Sequence, residues 1–214
     1  MKAGTKEERK WEKNKESLVS LPFHPSPQRG NVFGSIQKML KENSNIEPCK
    51  NPDAMYRDIV VFGCGNILFG DDGFGPCVAE YLQNCVELPE NVSVINAGTS
   101  VREILFDFIL SPQRPKKIIV IDAVDVNKKP GEVFNLNVDE LPLNKIDDFT
   151  LHEMPTSNLL KELKDFCNVD VVIIAVQIEH MPEAVSPGLS DALTESVAVA
   201  AKEVLKSCGG RPPV

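Results

Sequence analysis

Two features of the sequence predict an α/β fold, a three-layer sandwich in which helices cover both faces of a mostly parallel, twisted sheet of about five strands. Short runs rich in Val and Ile alternate with segments in which apolar residues recur at helical spacing. Glycine, proline and serine separate these runs. Strands that alternate with helices form crossover units, and such units build a parallel sheet that is buried on both faces.

The predicted elements begin at Ile59. Short apolar runs predict four buried strands at Ile59–Phe62, Val92–Ile95, Lys117–Asp122 and Asp170–Val176. A fifth strand, Glu132–Leu136, follows the Pro130-Gly131 turn, and its alternating pattern is typical of an edge strand and allows antiparallel pairing. Helical spacing predicts helices at Phe74–Val86, Val101–Leu110, Ser157–Phe166 (capped by Thr156 or Ser157), and from Ser190 to about Lys206.

Residues 1–57 differ in character from the rest of the chain. They are polar and broken by five prolines, and only Ser35–Lys41 has the spacing of a short amphipathic helix. We therefore predict a largely flexible N-terminal extension over residues 1–57, an α/β domain over 58–206 and a C-terminal tail over 207–214.

The distribution of charge disfavours nucleic acid as a partner. The net charge is −8; residues 1–57 carry 11 Lys/Arg against 7 Asp/Glu, whereas residues 58–214 carry 12 against 24. An acidic body repels phosphate. The apolar runs are far shorter than the roughly 20 residues that cross a bilayer, and the N-terminus lacks the apolar segment of a secretory signal. We therefore expect a cytoplasmic protein with no membrane partner.

The six cysteines contain no C-x-x-C pair. Their wide spacing, in a chain without a signal, predicts reduced thiols rather than a disulfide framework. We expect most of them to be small buried hydrophobic residues.

Acidic residues and a histidine fall where the predicted sheet should bind a ligand, at the carboxyl ends of its strands. The loop after the first strand contains Asp71 and Asp72, the third strand ends in Asp122, and His152 precedes the Ser157 helix. Two carboxylates and an imidazole suit a divalent transition metal and leave positions open for substrate or water. A closed structural metal site has a fourth strong ligand. Because this set lacks one, it predicts a site that recognises a metal transiently rather than one that retains it.

Each of these residues also has a purely structural interpretation. Asp71 and Asp72 could cap the helix that starts near Gly73. Asp122 could begin a turn over residues 122–125, and His152 could be a hydrogen-bonded loop histidine. Only their joint placement at one edge of the sheet favours a metal site.

The glycines after the first strand suggest nucleotide binding as an alternative. Gly63 and Gly65 resemble half of a dinucleotide fingerprint, but the third glycine is Gly70, which is not at the required position. Asp71 and Asp72 would also repel phosphate at the start of the helix. A nucleotide- or metabolite-binding regulator on a doubly wound fold is therefore the second interpretation.

A serine or cysteine nucleophile is disfavoured. Cys64 lies at a strand-to-turn position, but a nucleophile elbow needs G-x-C-x-G and the chain has Phe62-Gly63-Cys64-Gly65. Ser100, Ser157 and Ser190 fall at helix starts, where capping serines are common.

The pattern Gly63-x-Gly65-Asn66-x-Leu68-x-x-Asp71-Asp72-Gly73-x-Gly75 resembles the opening signature of the nickel–iron hydrogenase maturation endopeptidases. The resemblance extends over residues 58–206 through further motifs in the same order: Gly98-Thr99, Ile121-Asp122-Ala123, His152, Gln177 and Gly188-Leu189-Ser190. The sequences 71–76 and 152–155 are most similar to the branch that serves the methanogens' hydrogenase reducing the deazaflavin coenzyme F-420.

The resemblance implies a protease that removes a short C-terminal extension from a hydrogenase large-subunit precursor after nickel has been inserted. Asp72, Asp122 and His152 stand at the family's metal-contacting positions, and the resemblance assigns them both metal-binding and catalytic roles. The nickel belongs to the substrate, and no organic cofactor is implied. Many relatives have Glu in place of Asp72 and proline where Ile178 follows Gln177. An adaptor that docks on hydrogenase subunits through residues 1–57 is a third interpretation.

Overall fold

A five-stranded sheet forms the centre of the computed structural model, which describes residues 57–140 and 157–209. The strands are β1 (Ile59–Cys64), β2 (Val92–Gly98), β3 (Lys117–Val124), β4 (Val133–Leu136) and β5 (Asp170–Gln177). Their order is β2-β1-β3-β5-β4; all neighbouring pairs are parallel except β4, which runs antiparallel to β5 at the edge. The predicted mostly parallel sheet is confirmed, and the predicted edge strand pairs antiparallel, as its pattern allows.

Four helices connect and cover these strands: α1 (Phe74–Cys85), α2 (Val101–Leu110), α3 (Ser157–Cys167) and α4 (Asp191–Ser207). Gly70–Gly73 and Val138–Glu140 are short 3-10 turns. The least accurate predicted boundary is the end of β2, which continues beyond Ile95 to Gly98. The predicted helix Ser35–Lys41 lies outside the described residues.

Alternate residues of the strands face two separate hydrophobic clusters, which makes the three layers. Val61 and Ile119 pack on one face with residues of α1 and α4. Val60 and Ile118 pack on the other face with residues of α2 and α3. This period of two follows from the pleat of a strand. Because both faces of the sheet are covered, the strand sequences are nearly continuous apolar runs.

Strand β3 continues two residues beyond the predicted end at Asp122. Ala123 and Val124 pair with Val176 and Gln177 of β5, and Asp122 itself lies opposite Ala175. The interpretation of Asp122 as the first residue of a turn is therefore wrong.

The cysteines of the described chain are free: Cys64 and Cys77 are buried, Cys167 and Cys208 are half-buried, and Cys85 is exposed. Of these five, only Cys64 and Cys77 are the small buried residues that the sequence predicts. Among the helices that the structure describes, none combines the length and apolar character needed to cross a membrane.

Candidate functional site

The loop between β1 and α1 folds back so that Asp72 lies against the end of β1. Gly65 has a φ of +117°, and a Cβ atom there would lie 1.9 Å from the carbonyl oxygen of Asp72. Only glycine permits this approach. The backbone N–H of Asn66 donates a 2.7 Å hydrogen bond to Oδ2 of Asp72, which fixes the carboxylate at the carboxyl edge of the sheet.

Helix α1 begins directly on the ends of two strands. A Cβ atom on Gly75 would lie 2.3 Å from the carbonyl oxygen of Cys64 in β1 and 2.4 Å from that of Ile121 in β3. This contact brings the loop that carries Asp72 next to Asp122, which follows Ile121. The glycines of the motif therefore position the two carboxylates relative to each other.

Asp122 is half-buried, and its Oδ1 accepts a 2.9 Å hydrogen bond from the backbone N–H of Ala123. Burial, followed by the negative charge of Asp72, raises the pKa of Asp122 from 3.8 to about 7, and the N–H of Ala123 partly opposes this rise. Like charges that share a low-dielectric site favour protonation of one member. The structure therefore brings Asp72 and Asp122 together as an electrostatically coupled pair.

The third residue of the predicted site, His152, lies outside the described residues, so the three-residue metal site stays a prediction. Within residues 57–140 and 157–209, no three His, Cys, Asp or Glu side chains are grouped so that they could hold a metal ion. The described part of the site thus consists of two carboxylates. A divalent cation that balances two carboxylates still needs further ligands.

Asp71 has a structural role that the sequence did not reveal. Its side chain is buried, and its two oxygens accept hydrogen bonds from three backbone N–H groups: Glu179 at 2.8 Å, His180 at 3.1 Å and Ser190 at 2.8 Å. The N-cap position of α1 is occupied by Gly73. The helix-cap interpretation of Asp71 is therefore wrong, and the residue instead ties the loop after β5 to the loop that carries Asp72.

Gln177, the last residue of β5, holds the loop after β3. Its buried side chain accepts hydrogen bonds from the backbone N–H groups of Val126 (2.9 Å) and Lys128 (3.0 Å). Its amide group donates to Oδ1 of Asp125 (2.9 Å) and to the carbonyl of Ile178 (3.0 Å). Sequence reasoning noted Gln177 only through the resemblance; a polar residue that ends an apolar strand was the available signal.

The glycine loop is not built to bind phosphate. A phosphate-binding loop needs free backbone N–H groups. Here the N–H groups of Gly65, Leu68 and Gly70 donate to Gly98, Asn66 and Ser186 within the protein. The N–H of Asn66 donates to the Asp72 carboxylate. Nothing in this geometry favours the nucleotide-binding interpretation.

Cys64 does not have the environment of a nucleophile. Its side chain is buried, and burial, followed by the charges of Asp122 and Asp72, raises the pKa of its thiol well above the usual value. A thiol in this state is a weak nucleophile. Ser190 caps α4 by accepting the N–H of Leu193, as its position predicted.

The fold and this site define a class: an α/β protein with a pair of coupled carboxylates at the carboxyl edge of a mostly parallel sheet. Comparison with known proteins specifies the family. Residues 76–207 match the family model of the hydrogenase maturation proteases. The chain belongs to the hydrogenase maturation protease family, which is a family of peptidases.

Relatives of this chain include two archaeal proteins. A protein of Methanocaldococcus jannaschii named as a hydrogenase maturation protease is 40% identical over 151 residues, which are 70% of this chain and 95% of the relative. The coenzyme F-420 hydrogenase subunit delta of Methanothermobacter thermautotrophicus is 36% identical over 156 residues, 71% of this chain and 95% of the relative.

Solved structures have the same fold. The hydrogenase-maturating endopeptidase HybD of E. coli is 26% identical, with a TM-score of 0.55 over 71% of this chain and 91% of that protein. The nickel–iron hydrogenase maturation protease HycI of Thermococcus kodakarensis is 23% identical, with a TM-score of 0.54 over 72% and 94%; that likeness concerns the fold alone.

Proposed function

We propose that this protein is an endopeptidase that removes a C-terminal extension from the large-subunit precursor of a nickel–iron hydrogenase, and that it recognises the nickel already inserted in that precursor. The family assignment supports proteolysis during hydrogenase maturation. Asp72, Asp122 and His152 are the residues proposed to contact the nickel and to catalyse cleavage. The nickel is part of the substrate, and no organic cofactor takes part.

The observation that carries this proposal is the coupled carboxylate pair. Burial and the charge of Asp72 raise the pKa of Asp122 to about 7, so the pair is destabilising when both members are ionised. A divalent cation between them removes that repulsion. The pair alone offers too few ligands for a closed metal site, which suits a protein that tests for nickel in a partner and then releases it.

In the proposed chemistry, the nickel of the precursor and the side chains of the protein have different roles. The metal acts as a Lewis acid that polarises the scissile carbonyl or the attacking water. Asp72 or Asp122 assists proton transfer. Buried Cys64 takes no part as a nucleophile.

The side chain of Asp72 is one methylene shorter than the glutamate of many relatives. The backbone N–H of Asn66 donates to Oδ2 of Asp72 and fixes where this carboxylate points. We therefore assign Asp72 the same role as the longer residue.

One finer assignment is also part of the proposal. The resemblance to the coenzyme F-420 hydrogenase subunit delta leads us to propose a hydrogenase that reduces this coenzyme as the source of the precursor. The cytoplasmic location and the N-terminal extension over residues 1–57 stay predictions from the sequence.

The test is an incubation of purified precursor, nickel-loaded or nickel-free, with the full-length protein, followed by intact-mass measurement of the large subunit. We expect loss of the C-terminal extension only from the nickel-loaded precursor. Asp122→Asn and Asp72→Asn should each reduce the cleavage rate by at least about a hundredfold, because general acid–base groups contribute that much.

Asp107→Asn is the matched control, since Asp107 is an exposed carboxylate on α2, and it should cleave at the wild-type rate. Cleavage of nickel-free precursor at the same rate as nickel-loaded precursor would refute the proposal that the protein recognises the inserted nickel. Full activity of Asp122→Asn would refute the assignment of the site.

A further inference from the structure

Strand β5 ends in a buried polar residue. The strand is apolar from Val171 to Val176, and Gln177, which follows, is only 4% exposed. A buried amide lowers the stability of a protein unless its hydrogen bonds are made. An apolar side chain would continue the pattern of the strand at this position. The presence of glutamine is therefore explained by the groups that its amide binds.

The amide of Gln177 organises the loop that follows β3. Its Oε1 accepts the backbone N–H groups of Val126 (2.9 Å) and Lys128 (3.0 Å). Its Nε2 donates to Oδ1 of Asp125 (2.9 Å). The same Oδ1 accepts the N–H of Asn127 (3.4 Å). Two side chains thus bind three consecutive backbone N–H groups in a loop that has no regular structure of its own.

Backbone contacts connect this loop to Asp122. The N–H of Ile178, the residue after Gln177, donates to the carbonyl of Val124 (3.1 Å). One residue earlier in β3, the N–H of Ala123 donates to Oδ1 of Asp122 (2.9 Å). The direction of the Asp122 carboxylate therefore depends on a peptide group that lies next to the anchored end of β3.

Asp122 lies on a part of β3 that is paired on one side. β1 pairs with β3 only as far as Ile121. Of the described strands, only β5 continues beside residues 122–124. The end of a strand opens more readily than its centre, because fewer contacts hold it. The hydrogen bonds between Gln177 and residues 125–128 lie directly beyond this end and oppose its opening.

We propose that Gln177 is a positioning residue for Asp122: through the loop 125–128 it holds the end of β3, so that the Asp122 carboxylate keeps a fixed direction during cleavage. This inference rests on the proposed function, in which Asp122 contacts the nickel and assists proton transfer. Gln177 acts through the backbone and not on the substrate. A displacement of about 1 Å in a catalytic group can lower a rate about a hundredfold.

The first test compares Gln177→Met with the matched control Gln83→Met. Gln83 lies on α1, and its amide also donates a hydrogen bond to a backbone carbonyl, that of Val94 (2.8 Å). Steady-state cleavage of nickel-loaded precursor is measured with the full-length proteins. Gln177→Met should lower kcat at least about tenfold and leave KM within about threefold, because the carboxylate is misaligned while the contacts with substrate are kept. Gln83→Met should leave both constants unchanged.

The second test needs no substrate. Amide hydrogen exchange, followed by NMR, reports whether loosening of the loop reaches Asp122. In Gln177→Met the N–H groups of Val126 and Lys128 lose their acceptor and should exchange at least about tenfold faster. The N–H of Ala123, which binds the Asp122 carboxylate, should exchange severalfold faster. A role confined to the loop would leave Ala123 at the wild-type rate.

A wild-type kcat in folded Gln177→Met would overturn the inference and leave the proposed function intact. A lower kcat with an unchanged exchange rate at Ala123 would overturn it as well. Failure of the wild type to cleave any precursor would instead refute the proposed function, and the exchange rate at Ala123 would still test the link between Gln177 and β3.

A second pair of variants serves if Gln177→Met does not fold. Gln177→Glu keeps the acceptor for the loop N–H groups but places a carboxylate against that of Asp125. The double variant Gln177→Glu/Asp125→Asn exchanges donor and acceptor in this contact. Its kcat should be severalfold higher than that of Gln177→Glu, and an absence of recovery would contradict the inference.

Discussion

Oδ1 of Asp71 accepts a 2.8 Å hydrogen bond from the backbone N–H of Ser190, which lies 119 residues further along the chain. The adjacent residue, Asp72, accepts the N–H of Asn66, only six residues away. Two neighbouring aspartates therefore have separate tasks: Asp71 joins two distant loops, and Asp72 presents its carboxylate near Asp122. The contribution of Asp71 to the stability of the fold and the proposed contribution of Asp72 to catalysis can therefore be tested separately.

Asp71→Asn should destabilise the fold. The amide NH2 replaces one acceptor oxygen, so at least one backbone N–H among Glu179, His180 and Ser190 faces a donor instead of an acceptor. A hydrogen bond to a buried charged group contributes about 2 kcal/mol, and we expect the free energy of unfolding in urea to fall by that amount. Asp107→Asn, the exposed control, should change it by less than about 0.5 kcal/mol. Equal stabilities of the two variants would show that Asp71 does not hold the loop.

Asp122 should make the stability of the metal-free protein depend on pH. Because the pKa of Asp122 is raised from 3.8 to about 7 on folding, the folded state favours the protonated form. The stabilisation of the fold by protonated Asp122 is complete below pH 4 and is lost as the pH rises to about 7. Asp122→Asn cannot ionise, so its stability relative to wild type should increase by about 2–4 kcal/mol between pH 4 and pH 8. Urea unfolding at these two pH values measures this; a pH-independent difference contradicts it.

Binding of a divalent metal to the protein should strengthen as the pH rises. Asp122 has to lose its proton to coordinate a cation, so below its pKa of about 7 each pH unit should weaken binding of Ni²⁺ or Cd²⁺ by up to about tenfold. Isothermal titration calorimetry between pH 5.5 and 8 in buffers of different ionisation enthalpy would measure both the affinity and the protons released. Asp122→Asn should bind more weakly and with a flatter pH dependence. An identical profile for the two proteins would exclude Asp122 as a ligand.

Gly75→Ala should disrupt the contact that positions the two carboxylates. Its Cβ atom would lie 2.3 Å from the carbonyl oxygen of Cys64 and 2.4 Å from that of Ile121, and neither backbone group can move without opening the sheet. Overpacking of this kind costs about 3 kcal/mol, measured as a loss of unfolding free energy. Cleavage activity should fall with it, because α1 must shift away from β1 and β3. Wild-type stability of this variant would show that the helix is free to shift.

The sequence predicted the layers of the fold because buried parallel strands and amphipathic helices leave different periodic patterns. The end of β3 was missed because Ala123 and Val124 gain their pairing from β5, a partner distant in the chain. The role of Asp71 was not predictable either, since its three donors come from residues 179–190 and no local pattern marks them.

The candidate site was predictable in part. The rule that ligands bind at the carboxyl ends of parallel strands indicated Asp122 and the loop with Asp71 and Asp72, and the family resemblance assigned Asp72. The structure places the carboxylates of Asp72 and Asp122 close enough for the charge of Asp72 to raise the pKa of Asp122. His152, outside the described residues, stays a prediction from motif order.

A crystal structure of the full-length protein with bound Ni²⁺ or Cd²⁺, analysed by anomalous scattering, tests the central claim most directly. The account predicts one metal peak within about 2.0–2.3 Å of a carboxylate oxygen of Asp72, of Asp122 and of an imidazole nitrogen of His152. A metal bound only elsewhere, for example at exposed Cys85, with the two aspartates free of it, would contradict the account.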